Sequence, residues 1–259
     1  MGAAIGAMLV GAGHQVHWAS QGRSATTARR AADAGLIDAV TVAGAVAASD
    51  AIIAVCPPDA ARELAAAVLA AAPAGWSGWY LDANAIAPST FAEITAMGQG
   101  SEVRFVDGGI IGPPPTRSGI TRLYLSGADA PTMAALWEGS YLEVVVISDR
   151  PGAASALKLA YASWSKASQA LLLTARAVAS AQGVEPWLLA EWDRAGGDLR
   201  AISERAAAAA ATKGWRWSGE MREVAALVRD SGLPDGFHLA AAEVFARVPG
   251  QAPTPTPEG

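Results

Sequence analysis

Cysteine is almost missing: Cys56 is the only one in 259 residues. One thiol excludes an internal disulfide framework and a cysteine-based zinc cage. Histidine is scarce as well, with only His14, His17 and His238. That leaves little for any metal site, and none is expected. No basic surplus exists, because the formal net charge is −5. A chain without cationic excess does not neutralise phosphates as a general nucleic-acid binder. No apolar run reaches the roughly 18 residues of a membrane span, since Gly, Pro or a charge breaks each Ala-rich stretch. The opening residues 1–13 have the apolar texture of a signal-peptide core, but no Lys or Arg precedes them. These absences predict a cytoplasmic enzyme acting on a small molecule, with no nucleic-acid or membrane partner.

What is present is a core. Hydrophobic residues make up 52% and charged residues 17% of the chain, enough for one large domain or two small ones. The texture changes near Asp149. Before it, strand-like runs at 14–20, 51–58, 79–84, 104–111, 121–127 and 143–148 alternate with Ala-rich helical segments. Near-continuous apolar strands between helices predict a parallel sheet covered on both faces. The later strands are crowded, with a single helix between them, so a mixed extension is expected at that end. After Asp149 the strand signal ends. Helices are expected to about Gln182, then at 185–194, 198–211, 215–231 and 236–247. The last segment, 249–259, is Pro- and Thr-rich and reads as a disordered tail. The expected domains are therefore 1–149, α/β, and 150–248, all-helical.

Several residue groups carry possible chemistry. Pro57-Pro58 after the second strand turns the backbone away from the sheet at its carboxyl edge, where open α/β folds hold ligands. Cys56 beside them reads as a small buried filler rather than a nucleophile, since no His lies nearby in sequence. Asn84 follows another strand end, and its amide suits a ribose, a carboxamide, or a helix-capping or turn role. The paired Gly108 and Gly109 after Asp107 permit close approach to main-chain N–H groups. Lys158 lies on an otherwise apolar helix face, where an unpaired ammonium is costly; it is expected to be partnered, depressed in pKa, or both. Tyr161, three residues past Lys158, carries a hydroxyl donor on the same helix. Lys166 lies eight residues past Lys158 on nearly the same face and suits an anionic group, or snorkels to solvent.

Together these motifs resemble the 6-phosphogluconate dehydrogenase and β-hydroxyacid dehydrogenase superfamily over about residues 1–248. Met1-Gly2 resembles the end of its Gly-x-Gly-x-x-Gly fingerprint, and Ala12-Gly13-His14-Gln15-Val16 resembles the exit of its first helix. The resemblance implies a Rossmann-like, doubly wound parallel sheet whose first strand is missing from this sequence, followed by an all-α domain. It implies a nicotinamide cofactor touching Gly2, Ser20, Arg23, Ser24, Cys56, Pro57 and Asn84. At 20–24 no carboxylate is present to hold a ribose 2′-hydroxyl, whereas Arg23 and Ser24 suit a 2′-phosphate. NADP is thus favoured, with NAD as the alternative.

The segment from Asp107 to Gly112 matches the superfamily's substrate-binding strand end, with Ile111 where a serine is usual; the ordinary small 3-hydroxy acid is therefore not expected. Gly152 to Ala162 matches the catalytic helix, which makes Lys158 the acid/base; Ala162 replaces the usual Asn. Trp217, Glu220, Met221 and His238 resemble one branch of the superfamily and are expected at the substrate end, with a homodimer partner completing the site. The expected activity is hydride transfer to or from a carbonyl/alcohol carbon of a hydroxyacid-type substrate, or an imine-reductase activity. A non-catalytic dinucleotide sensor is the reading from another class.

Overall fold

A computed structural model describes residues 1–248. The expected tail at 249–259 lies outside the described residues. The chain forms two compact units, Met1–Lys158 and a second that begins at Leu159.

In the first unit the main sheet is built from β3 (Ala51–Ala54), β4 (Trp79–Asp82), β5 (Arg104–Ile111), β6 (Arg122–Ser126) and β7 (Glu143–Ser148), in that order. Strands β3, β4 and β5 are parallel; β5 and β6 run antiparallel; β6 and β7 are parallel. The mixed extension expected from the crowded late strands is present. A separate parallel pair joins β1 (His17–Trp18) to β2 (Ile37–Asp38). The sequence reading missed β2. It is two exposed residues long and carries no alternation to detect.

Alternation along β4 sends neighbouring side chains to opposite faces. Leu81 joins one core, with Ile5 and Leu9 of α1 (Gly2–Gly11) and Met133 of α6 (Ala130–Ala134). Tyr80 joins the other, with Val46 of α3 (Val42–Ala47), Val68 of α4 (Ala61–Ala71) and Ile94 of α5 (Pro88–Met97). A sheet buried on both faces explains why its strands read as continuous apolar runs. The remaining helix of this unit, α2 (Ala25–Asp33), follows β1.

The second unit holds most of α7 (Ala153–Ala181), with α8 (Glu185–Ala195), α9 (Leu199–Asp230) and α10 (Gly236–Arg247). Here one expectation is corrected. Two helices were expected at 198–211 and 215–231; the structure has one continuous helix of 32 residues. Gly214 costs helix stability as an isolated residue. In the fold it lets α9 press on α10, since a Cβ there would lie 3.3 Å from the Phe245 carbonyl oxygen. One turn later Ser218 Oγ donates to the Ala242 carbonyl at 3.0 Å. No described helix is long and apolar enough to cross a membrane.

The start of α7 is seated on β5. A Cβ on Gly109 would lie 2.7 Å from the Ala154 carbonyl oxygen and 2.8 Å from Lys158 Cβ. Neither is the free end of a side chain, so Gly109→Ala has no cheap accommodation. It is expected to lower stability by about 2 kcal/mol, measured by urea denaturation. An unchanged midpoint would mean that α7 does not rest on β5.

Candidate active site

The carboxyl edge of β3, β4 and β5 gathers the first group of expected residues. Strand β3 stops at Ala54, four residues before the sequence reading ended it, because Pro57 and Pro58 have no N–H for a ladder. Gly2, at the start of α1, leans on this exit; a Cβ there would meet Val55 Cβ at 3.8 Å. Cys56 is half-buried, and its backbone N–H donates to Asn84 Oδ1 at 2.6 Å. Asn84 Nδ2 donates to Asp82 Oδ2 at 3.1 Å, while Asp82 Oδ1 accepts the Asn84 N–H at 2.9 Å. Asn84 is thus a buried turn side chain that fastens the ends of β3 and β4, the structural alternative the sequence left beside a ribose or carboxamide contact. The cap of α5 falls at Ala87, without a side-chain bond. The signal for the fastener was the Asp82-Ala83-Asn84 spacing, in which an Asp bonds the backbone two residues on. Beneath it the Tyr80 hydroxyl is buried without a hydrogen-bond partner. Burial pushes its pKa above the ordinary phenol range, with smaller contributions from Asp82 and Cys56, so it stays neutral.

The turn after β1 leads into the N-terminus of α2. Arg23 N–H donates to the Ser20 carbonyl at 2.9 Å, and Gly22 takes φ +70° to close the turn. Ser24 caps α2: its Oγ accepts the Thr27 N–H at 3.3 Å and lies 3.1 Å from Thr27 Oγ1. The Arg23 side chain is exposed at this helix N-terminus, and no acidic residue occupies the first turn of α2. The nearby Asp38 carboxylate turns into its own loop and accepts the Val40 N–H at 2.8 Å. Sequence reading missed Val40, which is exposed, holds φ +63° and accepts the Gln21 N–H at 2.8 Å. A β-branched residue in this region has no local pattern that announces it.

The substrate contacts expected of Asp107, Gly108 and Gly109 are used by the protein itself. Asp107 is fully buried. Its Oδ2 accepts the Ser126 hydroxyl at 2.7 Å and the Ser155 N–H at 3.0 Å, and its Oδ1 accepts the Ser155 hydroxyl. Ser126 Oγ also accepts the Ala154 N–H at 3.0 Å. These bonds satisfy the first N–H groups of α7 and place negative charge at its N-terminus. Gly108 and Gly109 admit neighbouring chain rather than ligand: a Cβ on Gly108 would lie 2.8 Å from Leu81 Cδ1 and 3.0 Å from the Asp82 carbonyl oxygen. Lys158, half-buried, follows one turn after this cap.

The second unit brings the other expected residues together, apart from Tyr161, which is exposed on α7. Lys166 pairs with Glu220, and its Nζ lies 6.0 Å from the Trp217 ring. Trp217 packs edge-on against Phe245 with centroids 5.1 Å apart. Ser163 Oγ lies 2.7 Å from His238 Nε2. His238 is buried, which holds its pKa below the ordinary imidazole value and keeps the ring neutral at pH 7. Ser163 was not foreseen, although it lies one helical turn before Lys166 on the same face. Among the described residues no cluster of His, Cys, Asp and Glu is arranged for a metal.

Residues 179–248 match a domain of unknown function, DUF1932. No curated protein is significantly similar in sequence. Solved structures are similar in fold. A 3-hydroxyisobutyrate dehydrogenase from Mycobacterium tuberculosis, in complex with L-serine, is 20% identical over 95% of this chain and 89% of its own, with TM-score 0.65. A second 3-hydroxyisobutyrate dehydrogenase, from Salmonella typhimurium, is 16% identical over 95% and 89%, with TM-score 0.66. A reductive aminase from Aspergillus terreus in complex with NADPH and ethyl-5-oxohexanoate is 22% identical over 95% and 89%, with TM-score 0.57. The fold is therefore that of the 3-hydroxyacid dehydrogenase-like proteins: an α/β unit, then a helical one.

Asp107→Asn replaces one acceptor oxygen by a donor facing donors. It is expected to cost about 2 kcal/mol in chemical denaturation, with the near-ultraviolet aromatic signal retained. No loss of stability would refute the capping role.

Proposed function

We propose that the chain is an NADP(H)-dependent oxidoreductase acting on a carbonyl/alcohol carbon. The observation that carries this reading is the position of Lys158. Its stem rests on Gly109 near the carboxyl end of β5, where open α/β sheets hold ligands. The fold likeness to dehydrogenases and to an NADPH-bound aminase supports the class.

The donor set fits the cofactor. The Arg23 guanidinium and the hydroxyls of Ser24 and Thr27, at the start of α2, suit a ribose 2′-phosphate by charge and hydrogen bonding. Gly2, Cys56 and Pro57 line the exit of β3. Bound there, NADPH supplies the hydride for a carbonyl carbon. Lys158 gives the proton: its ammonium donates to the carbonyl oxygen as charge develops, becomes a neutral amine and is reprotonated from water. In the reverse direction the amine takes the alcohol proton. Asp107 acts on Lys158 only through α7, by fixing where the helix starts.

The same proposal includes a homodimer and a cytoplasmic setting. Tyr161, Trp164, Leu171 and Val178 are exposed along α7, Trp164 at 79%, and a second copy is the occupant we assign to that line. The half-buried single thiol suits a reducing compartment. The likeness to a reductive aminase keeps C=N reduction as the second reading.

The test is NADPH oxidation over keto acids, aldehydes and cyclic imines. Lys158→Ala is expected to reduce kcat by about 100-fold or more while NADPH binding, followed by its fluorescence, persists. Intact turnover in that variant would remove Lys158 from the chemistry. Arg23→Ala is expected to raise KM for NADPH about tenfold, the loss of one charge-assisted contact, and to leave KM for NADH unchanged. Equal effects on both cofactors would refute the 2′-phosphate assignment.

A further inference from the structure

The helical unit holds polar side chains that helix packing does not need. Lys166 and Glu220 are paired with side-chain exposures of only 16% and 9%. Apolar residues of similar volume would stabilise such a position as well or better. Beside them, His238 is 8% exposed and its Nδ1 has no hydrogen-bond partner. A buried polar atom left unanswered costs about 1–3 kcal/mol, so its retention calls for a reason.

Proton counting decides what Nδ1 offers. Ser163 Oγ and His238 Nε2 share one hydrogen bond. Ser168, Gln169 and Thr174 each donate to the carbonyl four residues back on α7, whereas Ser163 spends its hydroxyl on the imidazole. If Ser163 donates to Nε2, the single proton of the neutral ring sits on Nδ1, and one buried group is unanswered. If Nε2–H donates to Ser163, both the Nδ1 lone pair and the serine proton are unanswered. The first arrangement costs less. Nδ1–H is then a buried donor without an acceptor.

The charge balance narrows the acceptor. Lys166 and Glu220 cancel, and the ring is neutral, so an added carboxylate would be buried without a free countercharge. A carbonyl oxygen carries no such penalty. Trp217, half-buried beside Lys166, provides an apolar wall for the body of such a molecule. Phe237, half-exposed, lies edge-on to the imidazole at 5.4 Å between centroids and covers it on the solvent side.

We propose that Ser163, Lys166, Trp217, Glu220 and His238 form a subsite for an uncharged organic carbonyl compound, whose oxygen accepts from His238 Nδ1–H. The claim that this compound is the substrate rests on the oxidoreductase reading; the binding rests on the helical unit alone.

The experiment uses the full chain with 15N-labelled histidine, titrated with cyclohexanone and separately with cyclohexanecarboxylate. The ketone is expected to shift the His238 Nδ1 resonance, and the carboxylate to bind at least about tenfold more weakly. His238→Gln keeps an acceptor, its Oε1, toward Ser163 and removes the donor at Nδ1; ketone affinity is expected to fall about tenfold. His238→Asn keeps a donor near the Nδ1 position and is expected to stay within about threefold of the parent. Circular dichroism confirms that each variant is folded. No ketone-induced shift, stronger carboxylate binding, or equal loss in two folded variants overturns the subsite. NADPH titration of the same samples separates the two proposals. Ketone binding without NADPH binding sinks the oxidoreductase reading and supports the subsite; NADPH binding without the ketone shift sinks the subsite alone.

Discussion

The first unit depends on one buried carboxylate. Asp107 has no exposure to solvent and accepts three hydrogen bonds, two from Ser155 and one from Ser126. A charge in that position is tolerable only because donors surround it and the N-terminus of α7 points at it. Its consequence is positional. The helix begins where its N–H groups meet Asp107 and Ser126, and Lys158 falls one turn later against Gly109. A register shift of one residue would rotate the lysine by about 100° around the helix axis.

The carboxyl edge of the sheet is organised on the same principle. Polar groups that look available in the sequence are largely spent on holding strand ends together. Asn84 and Asp82 tie the exit of β4 to the backbone of Cys56 at the exit of β3. The side chains left facing outward lie in the turns: Arg23 at the start of α2 and Val40 after β2. An edge of this kind is a rigid frame whose turns stay exposed to solvent.

The helical unit uses polarity differently. Small residues at Gly214 and Ser218 bring α9 and α10 into backbone contact. That close packing leaves a polar group of Ser163, Lys166, Glu220 and His238 with little solvent. In such surroundings a hydrogen bond is strong when made and expensive when missing. Neutral His238, with one nitrogen bonded and one not, is the clearest case.

The amino-acid sequence by itself determined the fold class, the change from α/β to all-helical texture, and five strands of the main sheet, because apolar runs, Gly and Pro act locally along the chain. It also marked Arg23, Lys158, Lys166 and His238 as residues with chemistry. Only the tertiary structure decided which polar groups remain available. Asp107, Gly109 and Asn84 looked ligand-facing, yet they meet Ser155, Ala154 and Cys56, which lie 48, 45 and 28 residues away in sequence. Likewise the break expected near Gly214 vanished because Phe245, on another helix, accepts its close approach. Hydrogen bonds and contacts between distant segments leave no periodic trace in the chain, so their outcome is set by packing.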